Sequence, residues 1–249
     1  MEHEIIAKQR LDLHLVEHSH FPTRTTAIAA IKQGCVSVNG KVVIKPASTV
    51  DKHPQITVIG ACPWISRGGL KLDHALNHFN IDVTDAICLD LGASTGGFCD
   101  VLLSRKCQKI YAVDVGHSQL HSKIAENPKI INLEQIPAKI LDDTLVPDVI
   151  DFLCIDVSFI SVTKVFDFVL PLLSPTAKIV ILCKPQFELN PQAIKKGMVK
   201  EVHFLEEAKE AVLAFLESRN LANIEAIDSP ITGTDGNHEY LISCCNVAS

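Results

Sequence analysis

The chain has 249 residues, 47% of them hydrophobic, with 12 glycines and 12 prolines, which excludes a disordered chain and leaves room for one α/β domain plus a small module. No apolar run approaches the roughly 18 residues of a membrane span, Met1-Glu2-His3-Glu4 lacks the layout of a signal peptide, and nine cysteines without a CxxC pair point to a reducing, cytoplasmic setting. Residues 1–75 carry nine Lys or Arg against six Asp or Glu, and the rest carries fourteen against twenty-three; a basic front on an acidic body would concentrate nucleic-acid contact at the front.

Arg10 to His18 sets Leu11, Leu15 and Val16 on one helical face. Pro22-Thr23 opens a second helix, with Ala27, Ile28 and Ile31 inward and Gly34 as its stop. Val36 and Val38 alternate into Asn39-Gly40, followed by Val42 and Ile44, the pattern of a type I′ hairpin. Ile56 to Ile59 supplies another short strand, so residues 1–60 read as a small α+β module. Arg10, Arg24, Lys32, Lys41, Lys45 and Lys52 recur across it, each an ordinary solvated charge when taken singly. The fuller string is more specific: Arg10-Leu11-Asp12, Thr23-Arg24, Ile31-Lys32-Gln33-Gly34, Val36-Ser37-Val38-Asn39-Gly40 and Lys45-Pro46. It resembles the S4 RNA-binding domain over residues 8–60, with Thr23-Arg24 where that family usually has Ser-Arg. The resemblance implies that Arg10, Arg24, Lys32, Lys41 and Lys45 face structured RNA, read by backbone and shape.

Residues 61–85 form an interdomain linker and the start of the catalytic domain, carrying Lys71. Strand and helix then alternate through residues 86–249. Strands are expected at Ile87 to Leu91, Lys109 to Val113, Ile130 to Leu133, Phe152 to Asp156, Lys178 to Cys183, Ile224 to Ile227 and Glu239 to Cys244. A helix from Phe204 to Phe215 sets Phe204, Ala208, Ala211, Val212 and Phe215 on one stripe. Continuous apolar strands imply a sheet covered on both faces, and Asp235-Gly236 implies an antiparallel last pair. The fold class is α/β, a Rossmann-like seven-stranded sheet behind a small N-terminal α+β module.

The first of these strands runs into Gly92-Ala93-Ser94-Thr95-Gly96-Gly97. Read as G-x-S-x-G, Ser94 would be a nucleophile with Asp228 and His238 downstream, but such an elbow belongs deeper in the strand order. Read as a dinucleotide site, the turn has Ser94 where close pyrophosphate approach wants glycine. S-adenosylmethionine has no pyrophosphate and fits better. Its ribose diol needs a carboxylate at the end of the next strand, and Asp114 stands there. Glu134 follows the third strand on the adenosine side, and Asp156 ends a strand beside the same crevice.

Four charged groups sit at element boundaries: Lys71 after Ser66-Arg67-Gly68-Gly69, Asp156 and Lys184 at strand ends, and Glu239 opening the last strand. Carboxyl ends of parallel strands face the ligand mouth of such sheets. Transfer of a methyl group to an alcohol needs in-line attack and loss of the hydroxyl proton. Lys184 is the expected base and Lys71 a substrate positioner or electrostatic partner, the division between the two lysines staying open, and the two carboxylates orient the amines.

Ser66-Arg67-Gly68-Gly69-Leu70-Lys71-Leu72, Asp90-Leu91-Gly92-Ala93-Ser94-Thr95-Gly96-Gly97-Phe98 and Ala112-Val113-Asp114-Val115-Gly116 resemble the TlyA-type hemolysin/ribosomal RNA methyltransferases. So do Asp156-Val157-Ser158-Phe159-Ile160-Ser161, Lys184-Pro185-Gln186-Phe187-Glu188 and Gly233-Thr234-Asp235-Gly236-Asn237-His238-Glu239. Departures are Cys99, where Thr is common, and Met198-Val199-Lys200-Glu201 in place of a Val-Val-Arg-Asp-like stretch. The Lys-Asp-Lys-Glu set of the FtsJ-like 2′-O-ribose methyltransferases then maps onto Lys71, Asp156, Lys184 and Glu239. The resemblance also implies a cofactor site of Asp90, Gly92, Ala93, Ser94, Gly96, Phe98, Asp114, Val115, Glu134 and Asp156, and it adds Arg67 to the RNA-facing set. It implies S-adenosylmethionine-dependent 2′-O-methylation of cytidine in ribosomal RNA of one or both subunits. The expected partner is ribosomal RNA within subunits, with no DNA, membrane or metal; oligomeric state stays open. The alternative is an S4-tethered assembly factor that binds the cofactor without turnover; a pore-forming hemolysin has little support, since no signal, span or amphipathic basic helix speaks for it.

Overall fold

The computed structural model describes residues 9–32, 34–51, 53–58, 62–195 and 197–247. Gln33, Lys52, Ile59 and the signal-peptide reading of residues 1–4 lie outside the described residues.

The front unit comprises β1 (Gln9–Arg10), α1 (Leu11–Glu17), α2 (Arg24–Lys32), β2 (Val36–Val38), β3 (Lys41–Val42), β4 (Thr49–Val50) and β5 (Ile56–Val58). Leu11 and Leu15 meet Ala27, Ala30 and Ile31 in a small core with Cys35, Val36 and Val50. Ala30 takes a buried position while Ile28, expected inward, is only half-buried. Arg10 is strand rather than helix, opposite Thr49 in the β1–β4 pair; two residues carry no period that a sequence pattern could reveal. The β2–β3 hairpin pairs Val38 with Lys41. Asn39 and Gly40 have φ of 52° and 76°, the left-handed pair that a type I′ turn requires. Ile44, expected to extend β3, lies beyond it and is exposed.

Helix α3 (Arg67–His78) follows and packs on α4 (Gly97–Ser104), burying Leu72, Ala75 and Leu76. The remaining elements are β6 (Ile87–Leu91), which precedes α4, then β7 (Lys109–Asp114), α5 (Ser122–Ala125), β8 (Ile130–Glu134), β9 (Ile150–Ile155) and α6 (Phe166–Val169). They continue through β10 (Leu173–Cys183), α7 (Pro185–Glu188), α8 (Val202–Ser218), β11 (Ala222–Asp228) and β12 (Tyr240–Cys245).

Seven strands form one sheet in the order β11-β12-β10-β9-β6-β7-β8. The five from β6 to β10 are parallel, and β12 runs against both neighbours. Residues adjacent in sequence along the strands enter opposite layers: Leu89, Leu153 and Ile179 on one face, Cys88, Phe152 and Val180 on the other. Period two with both faces apolar is the pattern of a sheet buried on both sides. The inward stripe of α8 is Ala208, Val212 and Leu216, whereas Ala211 is exposed; steps of four from Ala208 rotate the face away from the position expected for Ala211. The first body strand, β6, lies centrally, with β7 on one side and β9 on the other. The chain reverses direction across the sheet there, and such sheets bind ligands beyond the strand ends at that switch.

Candidate active site

The turn after β6 is left-handed at Gly92, Ser94 and Gly96, with φ of 93°, 46° and 90°. A Cβ on Gly92 would collide with the Asp156 carbonyl, so only glycine fits between β6 and the end of β9. Ser94 holds its strained conformation through its backbone N–H, which donates to Asp114 Oδ2 at 2.8 Å. The Gly116 N–H donates to Asp114 Oδ1 at 2.7 Å. Asp114 thus ties the glycine turn to the loop after β7, and each oxygen retains acceptor capacity for a further donor. Beside it is a cavity of about 490 Å³ lined by Gly92, Ser94, Asp114, Val115, Asp156 and Phe159 among others. Asp228 and His238 bond to each other at 2.9 Å, and no hydrogen bond joins either to Ser94 among the described residues.

Not every expected cofactor residue faces that cavity. Ala93 and Phe98 line a second one, described below. Glu134 accepts the backbone N–H groups of Leu120, Gln119 and Ser118 at 3.1, 2.8 and 2.7 Å, which hold its carboxyl below the usual range. It shapes the loop whose Gln119 reaches the cavity wall. Gly96 packs its turn against Ile124 and Leu120. Asp90 lies wholly buried behind the turn. Burial pushes its carboxyl up to about 7, against the opposing hydrogen bond that Cys99 donates at 3.0 Å.

A second cavity, of about 400 Å³, runs along the other side of the turn. Lys71, one turn into α3, forms a buried ion pair with Glu239, which sits just before β12. Lys184, directly after β10, lies 2.6 Å from Asp156 Oδ1 and donates to Ser158 Oγ at 2.8 Å. All four charged residues line this one groove. Gly92, Ser94, Asp156 and Ser158 line both cavities, so the two meet at the switch point. The sheet order brings together the residues at the ends of β9, β10 and β12, and the packing of α3 on α4 adds Lys71 to them.

The basic set of the front unit divides in two. Arg10 and Arg24 both bind the buried carboxylate of Asp12, with Nη2 contacts of 2.9 and 2.8 Å. Their side chains stay 43% and 53% exposed, so a guanidinium edge remains open on each. Lys41 and Lys45 are exposed. Lys32 and Arg67 line the groove that holds the two ion pairs. Arg67 is buried, donates to the Thr232 carbonyl at 2.6 Å and leaves Nε without a partner; burial pushes its guanidinium pKa down. Trp64 packs against the cores of both units.

Two contributors carry no readable signal in the sequence. Ser158 stands in a quoted motif, yet a serine there looks like any turn residue until Lys184 is placed beside it. Asn237 is 2% exposed. Its Oδ1 accepts from the Val199 N–H at 3.1 Å and its Nδ2 donates to the Gly197 carbonyl at 2.9 Å. It anchors the segment that precedes α8 two residues from Glu239; Lys196 of that segment lies outside the described residues. Among the described residues no group of three or more His, Cys, Asp or Glu could hold a metal ion, and no helix is long and apolar enough to cross a membrane.

Residues 64–245 match the model of the FtsJ-like methyltransferases, and residues 9–56 match that of the S4 domain. Over 240 residues the chain is 35% identical to the 16S/23S rRNA (cytidine-2′-O)-methyltransferase TlyA of Mycobacterium tuberculosis, covering 94% of this chain and 89% of the relative. It is 35% identical to Hemolysin A of Brachyspira hyodysenteriae, covering 93% of this chain and 98% of the relative. A Streptococcus thermophilus structure solved under a hemolysin name is 34% identical with a TM-score of 0.77, covering 98% of this chain and 90% of that one.

Proposed function

The chain belongs to the FtsJ-like methyltransferase family, and from that premise we propose that it transfers a methyl group from S-adenosylmethionine to the 2′-hydroxyl of a cytidine in ribosomal RNA. The observation that carries this reading is the meeting of two cavities at Gly92, Ser94, Asp156 and Ser158, one beside Asp114 and the other lined by two lysine–carboxylate pairs.

The first cavity suits the cofactor. Its volume of about 490 Å³ falls within the roughly 300–1,000 Å³ of small-molecule sites. Gly92 presents backbone without a side chain, and Asp114 offers the carboxylate that a ribose diol requires. When bound, S-adenosylmethionine supplies an electrophilic methyl on its sulfonium. Every other task falls to the chain. Lys71, paired with Glu239, and Lys184, beside Asp156, both face one groove and so fix where a ribose hydroxyl lies. A neutral Lys184 would take the hydroxyl proton, with Asp156 and Ser158 aiming its nitrogen. Alignment of the hydroxyl for in-line attack supplies the remainder of the rate.

The S4 unit supports RNA as the acceptor, since its open guanidinium edges and lysines suit phosphates. We assign the substrate to ribosomal subunits in the cytoplasm, a reading supported by a relative named for both 16S and 23S rRNA. The test is transfer of tritiated methyl from S-adenosylmethionine to isolated subunits and to naked ribosomal RNA, followed by nuclease mapping. Label on the ribose of a cytidine is expected. Label that persists on a 2′-deoxy target nucleotide defeats the ribose assignment.

A further inference from the structure

The groove that holds the two ion pairs is not built by the catalytic unit alone. Lys32 at the end of α2, Val42 in β3 and Ile44 just beyond it form part of its wall. The two units touch closely there. Gly34 is left-handed at φ 73°, and a Cβ on it would lie 2.8 Å from Arg67 Cδ and 3.5 Å from Val42 Cγ1. The absent side chain lets Arg67 pass between the units, which seats β3 against the catalytic groove.

The chemistry of this wall points to one occupant. Ile44 is 53% exposed although the front unit has a core of its own, so this aliphatic side chain stands in a groove otherwise rich in cations. Arg67, over nine-tenths buried, lines the same groove with Nε unpartnered and no carboxylate ion-paired to it among the described residues. A buried cation in that state calls for an anion. An apolar face beside unfilled donors suits a nucleotide, which offers a flat base and a phosphate. The volume of about 400 Å³ matches one small molecule rather than a helical stem, so the acceptor must leave its stack to enter.

Resting on the methyltransferase reading, we propose that the S4 unit forms half of the acceptor pocket: Ile44 and Val42 pack against the extruded target nucleotide, and Lys32 with Arg67 holds its phosphate. The S4 unit is then part of the pocket that presents the ribose to Lys71 and Lys184, and not only a remote tether for RNA.

The two roles separate kinetically. A tether residue alters RNA affinity, while a pocket residue alters kcat at saturating RNA. The test compares full-length protein with Ile44→Asp, Ile44→Ala, Ile44→Leu and Lys32→Ala on ribosomal RNA. It measures kcat, RNA Kd by filter binding, S-adenosylmethionine Kd by calorimetry, and melting temperature. We expect Ile44→Asp to lower kcat by about tenfold or more, with both Kd values and the melting temperature near wild type. Ile44→Ala should fall between it and wild type, Ile44→Leu should restore most of the rate, and Lys32→Ala should also lower kcat at saturating RNA. A wild-type kcat in Ile44→Asp, or a loss confined to RNA affinity, overturns the shared pocket and leaves the methyltransferase reading intact. Wild-type protein that transfers no methyl to any ribosomal RNA overturns both.

Discussion

The Lys184 ammonium lies 2.6 Å from Asp156 Oδ1, and the same nitrogen donates to Ser158 Oγ at 2.8 Å. A carboxylate and a hydroxyl from one loop thus hold the nitrogen where both cavities meet. Lys184→Ala should lower kcat by at least about 10²-fold, the usual worth of a positioned acid–base group. Cofactor affinity should change little, because Lys184 lines the groove and not the cofactor cavity. Single-turnover kinetics beside calorimetric binding decides the point. An equal loss of cofactor affinity would sink this division of labour.

Asp114→Ala should show the opposite split. It removes the expected acceptor for the ribose diol and also the partner of the Ser94 and Gly116 N–H groups. Hydrogen bonds to a charged group are each worth enough that S-adenosylmethionine Kd should rise by roughly ten- to a hundredfold. At saturating cofactor, kcat should recover most of its value. Asp114→Asn, which keeps an acceptor oxygen, should lie between the two. A kcat that stays depressed at saturation would place Asp114 in the chemistry itself.

Asp90 makes stability depend on pH. Burial raises its carboxyl to about 7 in the folded chain from an ordinary 3.8. The folded state therefore holds a proton that the unfolded state has lost. The stabilisation that this proton represents is complete below pH 3.8, declines as pH rises to about 7, and is gone above it. At about 1.4 kcal/mol for each pH unit of that window, the change amounts to a few kcal/mol. Asp90→Asn, which cannot ionise, should be destabilised progressively less than wild type as pH rises, levelling off above about pH 7. Urea melts of both proteins at pH 5, 6, 7 and 8 measure the difference. Parallel curves across that range would show that Asp90 does not titrate there.

Much of this was legible in the sequence because it depends on period and punctuation. The seven strands, the Asn39-Gly40 turn and the antiparallel last strand follow from alternation and turn chemistry. The four charged residues could be picked out because strand ends at a switch point face the ligand. What escaped depends on three-dimensional neighbours. Ile44 reads as a hairpin residue until β3 stops at Val42 and leaves it in the groove. Asn237 reads as a turn residue until its amide is seen bonded to Gly197 and Val199. Arg24 reads as a free surface cation, and the structure shows it committed to Asp12.

That commitment sharpens what Arg24 should do. Arg10 Nε and Nη2 reach Asp12 Oδ1 and Oδ2 at 3.0 and 2.9 Å, and Arg24 Nε reaches Oδ2 at 2.9 Å. These bonds, that from Arg10 foremost, outweigh burial and hold the Asp12 carboxyl at about 2. Its stabilisation is thus present above pH 3.8 and lost only as pH falls towards 2, so the anchor is ionised throughout any RNA-binding assay. Arg24→Ala should weaken RNA association and reduce its log–log salt slope by about 1, the signature of one lost phosphate contact. Asp12→Asn is the more telling variant. It increases the net positive charge of the surface, so a purely electrostatic footprint would bind RNA more tightly. If Asp12 instead aims the two guanidinium forks, binding should weaken despite the added charge. Filter binding across a salt series distinguishes them, and tighter binding by Asp12→Asn would refute the aimed-fork account.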